Sequence, residues 1–265
     1  MIYQTKEEQI FFKRIKELAQ SAYNKEICTF TDFLTLYEIN LFYQIKQELV
    51  SVSYSMSGGY PDAERKLICF DGRSDVIQPT AKAEELPPDF YYPISCLKIY
   101  PTAAKFAEVL SHRDYLGAVV NLGLDRSKLG DLILKENEAF LFCKSQVADF
   151  LLEQLEWVRH TKVTVEQFLV QQVSFERNYE VIHTTVSSIR LDAVIAAAFH
   201  HSRSKMVSLI TQGNVYINGA LVTNVSHVLK QEDIISVRGY GKVKVGEQGN
   251  LSKKGRINIT LLKYS

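Results

Sequence analysis

The chain has 265 residues, 46% hydrophobic and 23% charged, with a formal net charge of +1. That composition excludes an intrinsically disordered chain and supplies apolar material for two or three buried cores. Cys28, Cys69, Cys96 and Cys143 stand far apart, with no C-x-x-C pair and no histidine cluster, which argues against zinc and against a disulfide scaffold and favours buried thiols in a reducing cytosol. The opening M-I-Y-Q-T-K-E-E-Q-I-F-F-K-R lacks the apolar region of a signal peptide. No apolar run approaches the roughly 20 residues needed to cross a bilayer, so a cytoplasmic protein without membrane insertion is expected.

Thr5 with Glu8 forms a capping-box pattern, and Phe11, Ile15, Leu18 and Ala22 follow at helical spacing. A second such pattern, Thr35 with Glu38, opens a helix expected to run to about Val50. V-S-V-S-Y-S-M-S (50–57) alternates with period two and K-L-I-C-F (66–70) follows Gly58-Gly59-Tyr60-Pro61-Asp62, a hairpin with a glycine turn. Residues 1–76 therefore read as an N-terminal helix-hairpin unit. Pro79, Pro87, Pro88 and Pro93 mark a linker or long loop over 77–93.

Beyond it come a strand at 96–100, a helix near 112–122, strands at 131–134 and 139–143, a helix over about 145–158 and a strand at 162–165. This β-α-β-β-α-β order predicts a central ferredoxin-like domain over 77–180. Trp157, late in the last helix, is assigned to the core. The same architecture serves RNA-recognition motifs, yet no stretch carries their aromatic RNP1 pattern.

Residues 166–183 connect to a last domain, 181–265. It has a helix over about 188–199, a second helix capped by Ser202 and ended by Gly213, and a hairpin turn at Asn218-Gly219 of the type I′ kind. Strands I-I-S-V, K-V-K-V and I-N-I-T-L-L follow. Arg238-Gly239-Tyr240-Gly241 is read as one loop, and Gly249 to Gly255, with Lys253 and Lys254, as another. The whole chain is thus expected to be α+β.

Charge is divided unevenly along it. Residues 1–183 carry 20 Lys and Arg against 26 Asp and Glu, and residues 184–265 carry 11 against 4. A basic terminal module on an acidic body points to nucleic acid. Arg190, Arg203 and Lys205 lie near two helix starts, where free backbone N–H groups also favour anions. Lys230, Arg238, Lys242 and Lys244 join them in one small unit, the kind of surface that counterion release exploits.

Strings with a catalytic look fail on context. His112-Arg113-Asp114 lacks every other kinase element, and Ser111 with Asp114 makes a capping box instead. Arg190-Leu191-Asp192 resembles the R-L-D string of pseudouridine synthases, but no second copy anchors a synthase domain, and Asp192 is read as orienting Arg190. Gly239-Tyr240-Gly241 lacks the third glycine of a dinucleotide fingerprint. Adjacent His200 and His201 diverge on a helix, which disfavours a metal pair and leaves His201 for a phosphate or base. No catalytic residue, metal or cofactor is expected.

R-L-D-x(9)-S-R-S-K, then I-x-x-G-x-V-x-I-N-G and D-I-I-S-V-R-G-x-G, closely resembles the S4 RNA-binding domain over about 183–243. The remainder resembles the YlmH family of bacterial S4 proteins, through G-G-Y-P-D-A-E-R (58–65), H-R-D-Y-L-G-A-V-V-N-L-G (112–123) and R-S-K-L-G-D-L (126–132). Ile189 departs from the small polar residue or glycine that many S4 domains carry there. The resemblance implies a non-enzymatic protein that binds rRNA of the large ribosomal subunit and tRNA. It also implies a role in ribosome-associated quality control and peptidyl-tRNA handling, with a link to cell-division proteins.

S4 contacts carry over onto Arg190, Ser202, Arg203, Lys205 and Asn218. With Asp192, His201, Gln212, Lys230, Arg238 and Lys242 these form the expected RNA-binding set, and Arg113, Arg126 and Lys128 form a possible second contact in the central domain. The competing readings are an RNA-modifying enzyme, a pseudouridine synthase or methyltransferase, that uses S4 as its targeting arm, and a cell-division-linked interaction protein.

Overall fold

The Thr5 side chain accepts from the Glu8 N–H while the Glu8 carboxylate accepts from the Thr5 N–H at 2.8 Å, and this box starts α1 (Lys6–Lys25). Thr35 and Glu38 start α2 (Leu36–Ile45) in the same way. In the computed structural model the described residues are 5–49, 52–73, 92–103, 105, 107–169, 175, 179–252 and 255–264. They fall into two compact units, Met1–Glu176 and Arg177–Ser265.

In the first unit α2 ends at Ile45 and tightens into a 3-10 turn at Lys46–Glu48, short of the expected end at Val50, which lies outside the described residues. The hairpin strands are β2 (Ser53–Ser57) and β3 (Leu67–Asp71), preceded by β1 (Cys28–Phe30), and they form an antiparallel sheet in the order β1-β3-β2. Phe12, Ile15, Ala19 and Ala22 of α1 pack with Phe42 of α2 and with Ile68 and Phe70 of β3. Strand β1 was not expected, because three residues are too short for a period-two pattern to register.

The central sheet contains β4 (Ile94–Pro101), β5 (Leu129–Lys135), β6 (Glu138–Lys144), β7 (Trp157–Val158) and β8 (Thr161–Phe168). Its order is β5-β6-β4-β8-β7, antiparallel throughout, with α3 (His112–Asn121) and α4 (Ala148–Gln154) in the connections. Leu97, Ile99, Ala139, Leu141 and Cys143 pack with Tyr115 and Val119 of α3 and Leu151 of α4. The alternate residues Cys96, Phe140 and Phe142 lie on the other face, as the pleat requires, and cluster with Tyr60, Ala63 and Phe175.

The helix expected over 145–158 is shorter. A 3-10 turn covers Ser145–Val147, α4 stops at Gln154, and Trp157-Val158 turn back on β8 as a hairpin. Val158 takes the inward position at 0% exposure, so its neighbour Trp157 points outward at 52%, and the assignment of Trp157 to the core is overturned. The expected linker 77–93 falls outside the described residues except for Tyr92 and Pro93.

Both sheets lie in one unit, and two of the sequence strings singled out above explain how. Asp131 accepts hydrogen bonds from the Tyr60 hydroxyl (2.7 Å) and from the N–H groups of Glu64 (2.7 Å) and Arg65 (3.1 Å). The Arg65 guanidinium donates to the carbonyls of Leu129 (2.8 Å), Phe33 (3.0 Å) and Arg126 (3.2 Å). Asp32 joins the same seam, with Lys128 at 2.7 Å, Lys144 at 3.0 Å and Arg14 at 3.3 Å. Burial alone would raise its pKa, but hydrogen bonds and charge from Lys128 and Lys144 outweigh that and hold it below the usual carboxylate range.

Gly58 fits this seam because a Cβ there would stand 2.2 Å from the Ala63 Cβ and 2.4 Å from the Arg65 carbonyl oxygen. Gly58→Ala is expected to cost about 1–3 kcal/mol by overpacking. Thermal unfolding followed through Trp157, the chain's one tryptophan, checks it; an unchanged midpoint refutes it.

The second unit starts with β9 (Tyr179–Val186), a strand that begins inside the expected connection 166–183 and runs past its end, followed by α5 (Leu191–Ala198) and α6 (Arg203–Thr211). Strands β10 (Val215–Ile217), β11 (Ala220–Leu221), β12 (Ile234–Val237), β13 (Gly241–Leu251) and β14 (Ile257–Tyr264) complete a sheet in the order β11-β10-β12-β13-β14-β9. Asn218 and Gly219 sit at φ of +49° and +80°, the left-handed pair that a type I′ turn demands. Val194, Ile195, Met206 and Ile210 cover the sheet residues Val215, Ile235, Val243 and Leu261, all fully buried. The loop expected over 249–255 is reduced, because β13 continues to Leu251 through two register shifts against β14. Lys253 and Lys254 lie outside the described residues.

Candidate RNA-binding surface

Arg190 precedes α5 in extended backbone, and the Ser202 hydroxyl caps α6 by accepting from the Lys205 N–H at 3.3 Å. Both helix starts are held on the fold from below: Leu191 N–H donates to the His227 carbonyl at 2.9 Å, and Met206 and Ile210 are buried. Asp192, in the first turn of α5, is only 3% exposed. One of its carboxylate oxygens accepts from Arg190 Nε at 3.2 Å and the other from an Arg203 terminal nitrogen at 2.5 Å.

A buried carboxylate between two half-exposed guanidiniums is an orienting device, since neither oxygen is left to meet solvent. Burial would push the Asp192 pKa up, but the hydrogen bond and charge of Arg203, then those of Arg190, hold it below the usual range. Arg190, Arg203 and Lys205 together outweigh Asp192 by two charges, so the cluster stays cationic.

A second group surrounds Tyr240. The Lys205 ammonium lies 5.3 Å from the Tyr240 ring centroid, His201 meets that ring edge-on at 5.2 Å, and Phe199 lies 5.9 Å away. Tyr240 is carried by the Arg238–Gly241 loop, where Gly239 and Gly241 take φ of +81° and +111°. Arg238 lies over the Tyr216 ring at 5.4 Å and Lys242 over Tyr264 at 5.9 Å. Tyr240 is not among the residues expected from sequence, where G-Y-G reads as a tight loop touching backbone. A tyrosine between two left-handed glycines, beside basic residues, was the available signal.

The other expected residues divide. Asn218 turns inward: its amide donates to Asp233 at 2.8 Å and its carbonyl accepts from the Ile234 N–H at 2.9 Å, so it pins β10 to β12. Gln212 ends α6 and donates to the Ser208 hydroxyl at 3.0 Å. Lys230 is exposed, with its N–H on Asp233. Lys244 pairs with Glu232. In the central domain Arg113 and Arg126 are exposed, whereas Lys128 is committed to Asp32. Asp114 accepts from the Ser111 N–H and hydroxyl at 2.8 and 2.7 Å, the capping role expected of it.

Among known families, the N-terminal YlmH model matches residues 7–74, the model described as a putative RNA-binding domain in YlmH matches 87–172, and the S4 model matches 189–235. The chain belongs to the YlmH family. The C-terminal unit of this YlmH-family chain is accordingly an S4 domain, and the cationic cluster described above lies on it. The Bacillus subtilis protein named ribosome-associated protein quality control protein P2 is 30% identical over 246 residues, 92% of this chain and 90% of its own length. A solved structure titled cell division protein ylmH from Streptococcus pneumoniae covers 65% of this chain and 98% of its own, at 22% identity and a TM-score of 0.48. Among the described residues no helix is long and apolar enough to cross a membrane.

Proposed function

We propose that this YlmH-family protein is a non-enzymatic, cytoplasmic RNA-binding factor working as three modules, 1–76, 77–180 and 181–265. Its S4 module docks structured RNA, namely rRNA of the large ribosomal subunit and tRNA, during ribosome-associated quality control and the handling of peptidyl-tRNA on stalled complexes. The observation that carries this reading is the Arg190–Asp192–Arg203 cluster beside Lys205 and Tyr240: two oriented guanidiniums, an ammonium and a ring at the starts of two helices. Guanidinium forks and helix N–H groups grip phosphate, and selectivity comes from the shape of the RNA. The name of the Bacillus subtilis relative supports the ribosomal setting. A covalent role for Asp192 is disfavoured by its burial and by the commitment of both its oxygens.

A salt titration of binding to a structured rRNA fragment and to tRNA tests the reading. Arg203→Ala/Lys205→Ala is expected to flatten the slope of log affinity against log salt by about 2, one for each lost phosphate contact. Affinity and slope that ignore the double change overturn the S4 docking surface.

A further inference from the structure

The central domain resembles a sheet on which bases could stack, but that face is closed. Phe140, Phe142 and Phe168 form a ring cluster with Phe175, and Tyr60 lies 4.9 Å from Phe142, so the chain itself occupies the aromatic face. On the opposite side an open groove of about 630 Å³ runs between α3 and the β7–β8 hairpin. It is lined by Arg113, Gly117 and Asn121 of α3, by Gln154 at the end of α4, and by Trp157 and Arg159 of the β7–β8 hairpin.

Four features of this groove converge. Trp157 is half exposed on a two-residue strand that its buried neighbour Val158 fixes in place, and its indole N–H meets no acceptor among the described residues. Arg113 is exposed and makes no hydrogen bond or ion pair among the described residues. Gly117 lies within α3, where a glycine costs about 1 kcal/mol relative to alanine, yet a Cβ there would meet nothing within 4 Å. Packing does not require this glycine, and the space a side chain would fill on α3 is open. Finally, the groove is not a phosphate track. Arg159 is tied to Glu108 and Asp114 at 3.7 Å, and Asp114 and Glu156 balance the two arginines.

We propose that this groove takes one unpaired nucleotide of RNA, its base stacked on Trp157 and its phosphate on Arg113, with Gln154 and Asn121 facing the base edge. A flat aromatic wall, side-chain amides and a single uncommitted cation fit a splayed-out base better than a duplex backbone. The proposal rests on the RNA-binding reading above and gives the central domain its own site, separate from the S4 cluster.

Because Trp157 is the only tryptophan, its emission reports the groove directly. The full chain carrying Arg203→Ala/Lys205→Ala is titrated with hexaadenylate, with inorganic phosphate and with an acidic hexapeptide. Saturable quenching by hexaadenylate alone is expected. In the same background, binding of labelled hexaadenylate, followed by anisotropy, is expected to weaken roughly tenfold in Trp157→Ala and in Arg113→Ala and to survive in Trp157→Phe, which keeps a stacking face. Circular dichroism confirms that each variant folds. Absence of quenching, equal quenching by phosphate or by the peptide, or unchanged anisotropy in Trp157→Ala overturns the groove. None of these results touches the S4 reading, which the salt slope of the unmodified chain decides separately.

Discussion

Asp192→Asn is expected to weaken binding to structured RNA about tenfold even though it adds a net positive charge to the surface that binds it. Charge counting alone gives the opposite sign, because removing an acid from a cationic face strengthens attraction to phosphate. Geometry decides against it. The carboxylate holds Arg190 and Arg203 from two separate oxygens, and the amide of asparagine has one acceptor and two donors for the same pair of donors. One guanidinium is released to many rotamers, and the ordering is then supplied at the expense of binding.

Stability is expected to fall by only about 1–2 kcal/mol, less than for a fully buried pair, since Arg190 and Arg203 are 39% and 52% exposed and return to water. RNA titration beside thermal unfolding checks both halves. Tighter binding in Asp192→Asn would mean that the carboxylate is only a neutralising charge.

The pH dependence follows from the direction of the Asp192 shift. Its folded pKa is depressed, so its contribution is complete above the unfolded carboxylate value of about 4 and is lost as pH falls through the folded value. RNA affinity should therefore show no Asp192-dependent change between about pH 5 and 8. The difference in stability between the parent chain and Asp192→Asn should close only on the acid side of the carboxylate range.

The residues that sequence located best are those whose partners lie close along the chain. Thr5, Thr35 and Ser202 each announce a helix start within three residues, and Asn218-Gly219 announces its own turn, so local chemistry suffices. Strands β1, β7 and β9 were not legible. The first two are too short to show a period, and β9 is defined by its pairing with β14, about 75 residues on.

Side-chain direction was harder still. Asn218 looked like an RNA contact, but the Asp233 carboxylate and the Ile234 N–H, 15 and 16 residues away, draw its amide inward. Lys128 looked like a free cation until Asp32, 96 residues away, was placed beside it. Trp157 moved the other way, from the core to an exposed wall, because the helix assigned to it ends three residues earlier.

Asp131→Ala is expected to destabilise the first unit on the scale of a core truncation. One carboxylate serves three part-buried donors there, the Tyr60 hydroxyl and the N–H groups of Glu64 and Arg65, and alanine removes the acceptor all three share. Hydrogen bonds to a charged acceptor contribute about 1.5–3 kcal/mol, and shared solvent access holds the sum to about 3–4 kcal/mol. For a unit of this size that lowers the unfolding midpoint by about 6–16 °C, read through Trp157 emission. Asp131→Asn keeps one acceptor oxygen and should fall between the two.

The loss would not stop at the seam. Tyr60 lies over Phe142 and beside Phe175, so losing its bond to Asp131 loosens the cover on the aromatic face of the central sheet. Asp131→Ala should then bind a hydrophobic dye below its unfolding midpoint, where the parent chain does not. A variant that keeps its midpoint within 2 °C and stays dark to the dye would show that the Arg65 carbonyl contacts and the Asp32 ion pairs hold the two sheets together without Asp131.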